Sequence, residues 1–433
     1  MYSVLSLFET NPPENAEIIV FTENITNRLI YVLDFLIKRQ WQKNYIITSD
    51  IEIFKSSDKL KINYSTKIFD NAVNVYPLNL LNSRGIDKKL KPDFSVNKNF
   101  YYKEDIFSKI FFHISRYEEW KKNFTPDAHQ RFEPNVSIHQ YNLKIPFVDV
   151  SIAEFKQFIQ SIYPAFSVSY FYKEILTFDL DNILAFKGKS FLRTSGALIK
   201  HILKQEFLLL NERIKTILKM QEDPFVEVYR FIKNIAQQKE VIFFVLSKNG
   251  TSFDRAADIQ HPDTKSILND IKSFAYIGLH PSYYSFNNIE TIKQEKHLLE
   301  SVINETIFSS RQHYLRMDIT QTPPLLLKCG ILMDFTMGFA SYAGFRAGTS
   351  YPFFYYDFDK EEVSSLLLVP FCAMDGAYFN YQKTSVDKAV QDIEQLKQSI
   401  KNVGGYFIPL FHEITLSPLF NKDALQWRAL LMK

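Results

Sequence analysis

The stretch Leu176-Thr177-Phe178-Asp179-Leu180-Asp181-Asn182 decides how the rest of the chain is read. An apolar run there ends in two carboxylates spaced i, i+2, where a strand meets a loop. In an extended segment such side chains share one face, so both can converge on one metal ion or one water. Asp and Asn also end strands as ordinary turn residues, so the stretch takes its meaning from what lies around it.

Downstream of Tyr170 the chain alternates regularly. Apolar, β-rich runs fall at Ile175 to Leu180, Val241 to Leu246, Tyr276 to Leu279, Gln312 to Leu315, Ile331 to Phe335, Leu366 to Phe371 and Tyr406 to Phe411. Helical patterns separate most of them: Ser195 to Met220, Pro224 to Gln238, Asp263 to Phe274, Ile289 to Val302, Pro324 to Lys328 and Val386 to Lys401. Strand and helix in alternation predict a parallel sheet, and the absence of a dinucleotide-binding glycine fingerprint points to an α/β barrel over residues 170–433. Upstream, strands at Glu17 to Thr22 and Tyr45 to Thr48 flank a helix at Asn27 to Gln42, which predicts a smaller α/β domain over residues 1–165. A helix from Glu104 to Trp120 carries Ser115-Arg116-Tyr117-Glu118-Glu119, read as a helix end tied into the polar loop Asn123 to Asn142.

A chain of 433 residues exceeds a single usual core, which agrees with two domains. The net charge of +3 comes from 51 basic and 48 acidic residues spread along the chain, with no basic stripe of the kind a nucleic-acid partner requires. Cys329 and Cys372 are the only cysteines, too few for a disulfide framework. The first ten residues carry neither a basic leader nor a long apolar run, which predicts no signal peptide and a cytoplasmic location. The segments Arg28 to Ile37 and His201 to Met220 are broken by charges, so both are expected to be amphipathic helices and no membrane span is expected.

Ionisable residues cluster at the predicted strand ends. Asp179 and Asp181 end the first, His280 the third, Arg311 and His313 accompany the fourth, Asp334 the fifth, Asp375 follows the sixth and His412 ends the seventh. Singly, each has a plain structural explanation: a turn cap, a packed imidazole, a surface charge. In a parallel barrel the strand ends gather at one rim, so together they predict one site. Asp and His suit zinc, and such a set is fitted to metal-assisted hydrolysis, with a carboxylate taking a proton from water and a histidine protonating a departing amine.

Thr177-Phe178-Asp179-Leu180-Asp181, Gly278-Leu279-His280-Pro281-Ser282 and Leu410-Phe411-His412 resemble, in order and in strand placement, the motifs of the polysaccharide deacetylases, the carbohydrate esterase family four barrel. Ser115-Arg116-Tyr117-Glu118-Glu119, Ser310-Arg311-Gln312-His313-Tyr314-Leu315, Asp334-Phe335-Thr336-Met337-Gly338 and Gly344-Phe345-Arg346-Ala347-Gly348 resemble a bacterial branch with an added N-terminal domain. The resemblance implies a distorted seven-stranded (β/α) barrel that removes acetyl groups from N-acetylated sugars with one divalent metal, usually zinc. It implies Asp179 as general base, Asp181 and His280 as metal ligands, and His412 as general acid. Arg311 would hold the base, with Arg316 competing for that role, and Asp334 would tune His412.

One position departs from the pattern: four residues after His280, where the family has a second histidine, stands Tyr284. A neutral phenol is a poor zinc ligand, so His313 is expected to serve as third ligand, ahead of Ser282 and Ser285. Arg346, with the aromatics Phe345, Tyr351, Phe353 and Phe354, suggests a sugar platform, with Tyr284 and Asp375 also on the substrate side; a rigid connection with core aromatics explains the same loop. His261, near Asp254 and Asp258, is read as part of a solvated loop, with Asp263 capping the next helix. Two other functions fit the sequence: a barrel impaired at Tyr284 that binds a glycan or a protein, and a deacylase of a non-sugar amide.

Overall fold

The computed structural model describes residues 4–248 and 251–433, so Met1 to Ser3 of the segment read for a signal peptide lie outside the described residues. Four strands, β1 (Ile18–Thr22), β2 (Tyr45–Thr48), β3 (Leu60–Tyr64) and β4 (Val73–Val75), form a parallel sheet in the order β2-β1-β3-β4. β1 reads Ile-Ile-Val-Phe-Thr and is buried throughout, the continuous apolar run that a parallel strand covered on both faces requires. The helix after β1 starts on a Thr26 cap at Asn27, then widens into a π-helical segment from Asp34 to Gln40.

The second sheet contains β5 (Tyr172–Leu180), β6 (Glu240–Val245), β7 (Tyr276–Leu279), β8 (Ser309–Ser310), β9 (Met333–Asp334), β10 (Phe353–Asp357), β11 (Glu362–Leu368), β12 (Ala373–Met374), β13 (Gly405–Phe407) and β14 (Pro409–His412). Its order is β10-β11-β9-β8-β7-β6-β5-β14-β12, with β13 also on β5. Every pairing is parallel except the β10–β11 hairpin. The architecture is mixed α/β with a curled half-barrel sheet. Nine strands lie on an open path, with β13 paired on β5 off that path, where the sequence predicts seven in a barrel.

The differences have local causes. Gln312 to Leu315, read as a strand, is instead a 3-10 turn at His313–Leu315, and only Ser309 and Ser310 pair as β8. The seventh predicted strand breaks at Ile408 into β13 and β14. The single helix predicted from Ser195 to Met220 is two, Phe191–Leu203 and Phe207–Ile217, turned at Gln205 with φ +57°. The helix predicted from Glu104 to Trp120 stops at Ile114 and restarts at Tyr117, because Arg116 sits in the left-handed region at φ +56°. His261, not Asp263, caps the helix Pro262–Lys272, accepting the Asp263 N–H.

One apolar core runs through both sheets, from Ile18 and Val32 to Phe178, Phe243 and Phe411. Arg28 crosses between them: fully buried, it pairs with Glu361 at 2.6 Å and donates to the carbonyls of Leu80 and Gly85. Among the described residues no helix is long and apolar enough to cross a membrane.

Candidate metal centre

β5 delivers Asp179 and Asp181 to the carboxyl end of the sheet, β7 leads directly into His280, and the turn after β8 carries His313. Ligand atoms of Asp181, His280 and His313 all lie within 4.8 Å of one another. Asp181 Oδ1 is 3.4 Å from His280 Nε2 and 3.5 Å from His313 Nε2, and this buried oxygen has no hydrogen-bond partner.

Both imidazoles are held by their other nitrogen. His280 Nδ1 lies 2.6 Å from the Arg311 carbonyl oxygen, which can only accept, so Nδ1 carries the proton and Nε2 keeps a lone pair in the neutral ring. His313 Nδ1 lies 2.9 Å from Asp254 Oδ1, the carboxylate-to-imidazole contact that fixes metal-ligand histidines. Asp254 is itself buried and fixed, accepting the Tyr283 N–H at 2.8 Å and the Thr251 hydroxyl at 2.7 Å. Burial pulls the His313 pKa down, but Asp181 and Asp254 outweigh it and push the ring up to about 9. Burial likewise works against the Asp181 charge, yet His313 and His280 hold its carboxyl well below the usual range.

The backbone around His313 is costly. Tyr314 and Leu315 follow it at φ +61° and +55°, left-handed conformations that carry a penalty of about 1–3 kcal/mol for a non-glycine residue. This turn replaces the predicted strand and brings His313 to Asp181.

Arg311 is fully buried beside the first carboxylate. Its Nη1 donates to Asp179 Oδ1 at 2.8 Å, Nη2 to the Thr177 hydroxyl at 2.8 Å and Nε to the Phe335 carbonyl at 3.0 Å. One Asp179 oxygen is thus tied back, and the other lies 3.8 Å from His280 Nε2. The parallel register of β14 on β5 sets His412 opposite Asp179. His412 Nδ1 is 2.7 Å from Asp375 Oδ1, and its main-chain N–H donates to Asp375 Oδ2 at 2.8 Å. Burial opposes charge on this ring too, but Asp375, Asp181 and Asp179 raise its pKa well above the ordinary value. Asp179, Asp181, His280, His313 and His412 line one cleft of about 200 Å³.

Four expectations are corrected. Asp375 is not on the substrate side: buried, with its oxygens accepting from His412 and Gly376, it stands behind the His412 ring. Asp334, expected to tune His412, instead accepts from the Ser310 hydroxyl and the Thr336 N–H. Arg346 is buried against Glu119, at 2.6 Å and 3.0 Å, and Glu119 also holds Arg116 at 2.8 Å, so the guanidinium joins two parts of the chain and does not face the cleft. Tyr284 is 55% exposed and does not line the cleft, so it neither fills nor blocks the ligand position. Arg316 is engaged by the carbonyls of His129 and Tyr283, Ser282 by Glu295, and the Ser285 hydroxyl donates to the Ser282 carbonyl.

The sequence suggests a solvated loop around Asp254, yet the residue is fully buried. It follows β6, the one predicted strand to which no ionisable residue was assigned, and that gap was the available signal. Arg131, from the polar loop 123–142, also lines the cleft; its Nη1 donates to the Tyr314 carbonyl at 3.2 Å and its Nη2 pairs with Asp127 at 2.6 Å. Glu413, next to His412, accepts the Asn182 N–H, and burial together with Asp181 pushes its carboxyl up to about 8.

Residues 18–164 match a family described only as of unknown function, DUF7033. No curated protein matches the chain. Among solved structures, the chain is similar to a Mycobacterium smegmatis protein described as a polysaccharide deacetylase, at 14% identity and a TM-score of 0.37, covering 62% of this chain and 85% of that one. It is also similar to a polysaccharide deacetylase from Bacillus cereus, at 13% identity and a TM-score of 0.29, covering 61% of this chain and 86% of that one.

Proposed function

We propose that the chain is a metal-dependent hydrolase of the polysaccharide deacetylase type, removing an N-acetyl group from a saccharide. The observation that carries this reading is the buried, unpartnered Asp181 Oδ1 facing two imidazole nitrogens whose rings are fixed from behind. A buried carboxylate oxygen without a partner is costly, and a cation removes that cost. Asp181, His280 and His313 would hold it, and an oxygen and two nitrogens fit zinc. When bound, a divalent cation there supplies Lewis acidity, polarising the acyl carbonyl and making water more acidic.

The side chains around it divide the proton work. Asp179, anchored on one oxygen by Arg311, takes the proton of the attacking water on the other. The water oxygen bonds to the acetyl carbon, the carbon–nitrogen bond breaks, and His412 gives its Nε2 proton to the departing nitrogen. Asp375 supports this by keeping the ring charged and oriented. Acetate and a free amine leave. The saccharide assignment rests on the ordered motifs around Asp179, His280 and His412. The impaired-barrel alternative turns on Tyr284, and the placement of His313 beside Asp181 favours the hydrolase reading over it.

The test is acetate release from a panel of N-acetylated saccharides and simple acetamides, with and without chelator. Chelator-sensitive release from saccharides, abolished by Asp179→Asn, is expected; release from acetamides alone overturns the sugar assignment, and release unaffected by chelator overturns the mechanism.

A further inference from the structure

The two helices between β5 and β6, Phe191–Leu203 and Phe207–Ile217, form a hairpin that buries almost nothing. Only His201 and Thr216 within them are buried. Phe191 and Leu192 are each 82% exposed and Leu203 77%, with Phe207, Leu208 and Met220 close behind. Residues 191–220 carry eleven of the twenty-seven exposed large apolar side chains among the described residues, so this is one concentrated patch and not the usual scatter.

Charge identifies what covers it. Residues 191–220 contain six Lys and Arg against Glu206 and Glu212, a net charge of +4, while the rest of the chain carries −1. A second copy docked on this patch would bring two +4 surfaces together, which like-charge repulsion opposes. An anionic bilayer complements both properties, because apolar side chains enter the acyl boundary while Lys and Arg meet the headgroups. Helices of 13 and 11 residues are too short to span a bilayer, so the geometry is that of a hairpin lying in the interface.

We infer that the 191–220 hairpin docks the protein on the surface of membranes containing anionic lipid. This goes beyond the proposed hydrolase and does not depend on it. The hairpin stands close to the cleft: Arg193 donates to the carbonyls of Arg255 and Ala256 at 2.7 Å and 3.2 Å, and Lys189 bonds to Asn182, the residue after Asp181.

The test is co-sedimentation of the full chain with vesicles of phosphatidylcholine alone, and of phosphatidylcholine and phosphatidylserine in equal parts. The chain is expected to pellet with the mixed vesicles, to bind them less as salt rises, and to lose about tenfold or more of that binding on Leu203→Asp with Leu208→Asp. Lys200→Glu with Lys204→Glu provides a second variant, also expected to bind weakly; all four positions are exposed, so circular dichroism and melting should match the parent. No binding to either vesicle, equal binding to both, or retention by both folded variants overturns the inference. So does a dimer in vesicle-free solution that the Asp variant dissociates.

Discussion

Glu119→Gln tests whether Arg346 belongs to the scaffold or to the substrate. The carboxylate accepts from Arg116 Nε at 2.8 Å and from Arg346 Nε and Nη2 at 3.0 Å and 2.6 Å, and all three side chains are buried. Burial acts to raise the Glu119 pKa, but Arg346 and Arg116 prevail and hold it below the usual range, so the group is charged and its stabilisation is lost only as pH falls through that lowered value. A glutamine keeps one acceptor oxygen, turns an N–H2 group toward a guanidinium, and leaves two buried cations uncompensated. Breaking a buried ion pair from one side costs about 3–5 kcal/mol. With an m-value of about 3 kcal/mol/M, the urea midpoint should fall by roughly 1–1.7 M. The assay is urea unfolding followed by tryptophan fluorescence, and the double variant Glu119→Gln with Arg346→Met should recover part of the loss because one stranded cation is gone. A midpoint unchanged in Glu119→Gln, or Arg346→Met with parental stability and a raised KM, would contradict a structural role for the Glu119–Arg346 pair and return Arg346 to the substrate.

Three further outcomes follow from the same geometry. Asp375→Asn removes the strongest of the partners that raise His412, so the ring's pKa falls toward its ordinary value and the alkaline limb of kcat/KM moves to lower pH by about one unit or more; an unmoved limb contradicts the pairing. With His313 at about 9 in the metal-free protein, a cation binding at neutral pH displaces a proton, so affinity measured by chelator competition should rise about tenfold per pH unit from 7 toward 9 and then level off; a flat profile contradicts His313 as a ligand. Tyr284→Ala should leave metal content and kcat within about twofold of the parent, since an exposed side chain away from the cleft contributes little.

Much of this arrangement is legible in the sequence where local rules dominate. The buried parallel strand before Asp179 reads as one apolar run, Tyr276 to Leu279 and Tyr45 to Thr48 have the predicted bounds, and the helices starting at Pro224, Ile289 and Val386 begin at Asp, Asn and Ser caps. Strands of two residues, such as Ser309–Ser310 and Ala373–Met374, have no periodicity to detect and exist only because neighbours pair with them. Arg116 and Tyr314 adopt left-handed backbone that side-chain type does not announce, which hid a helix break and the turn that aims His313. Asp334 and Asp375 each stand at or just after a short strand, and only tertiary distance reveals which one meets His412. Arg346 illustrates the same limit, since a guanidinium among aromatics reads equally as a sugar contact or as half of a buried ion pair whose other half lies 227 residues away.

The most direct measurement is the metal content of the purified full chain, by elemental analysis after exchange into metal-free buffer, for the parent and for His313→Ala. One divalent cation per parent chain is expected, with most of it lost in the folded variant. A parent chain without stoichiometric metal, or a folded variant that retains it, would contradict the centre built from Asp181, His280 and His313.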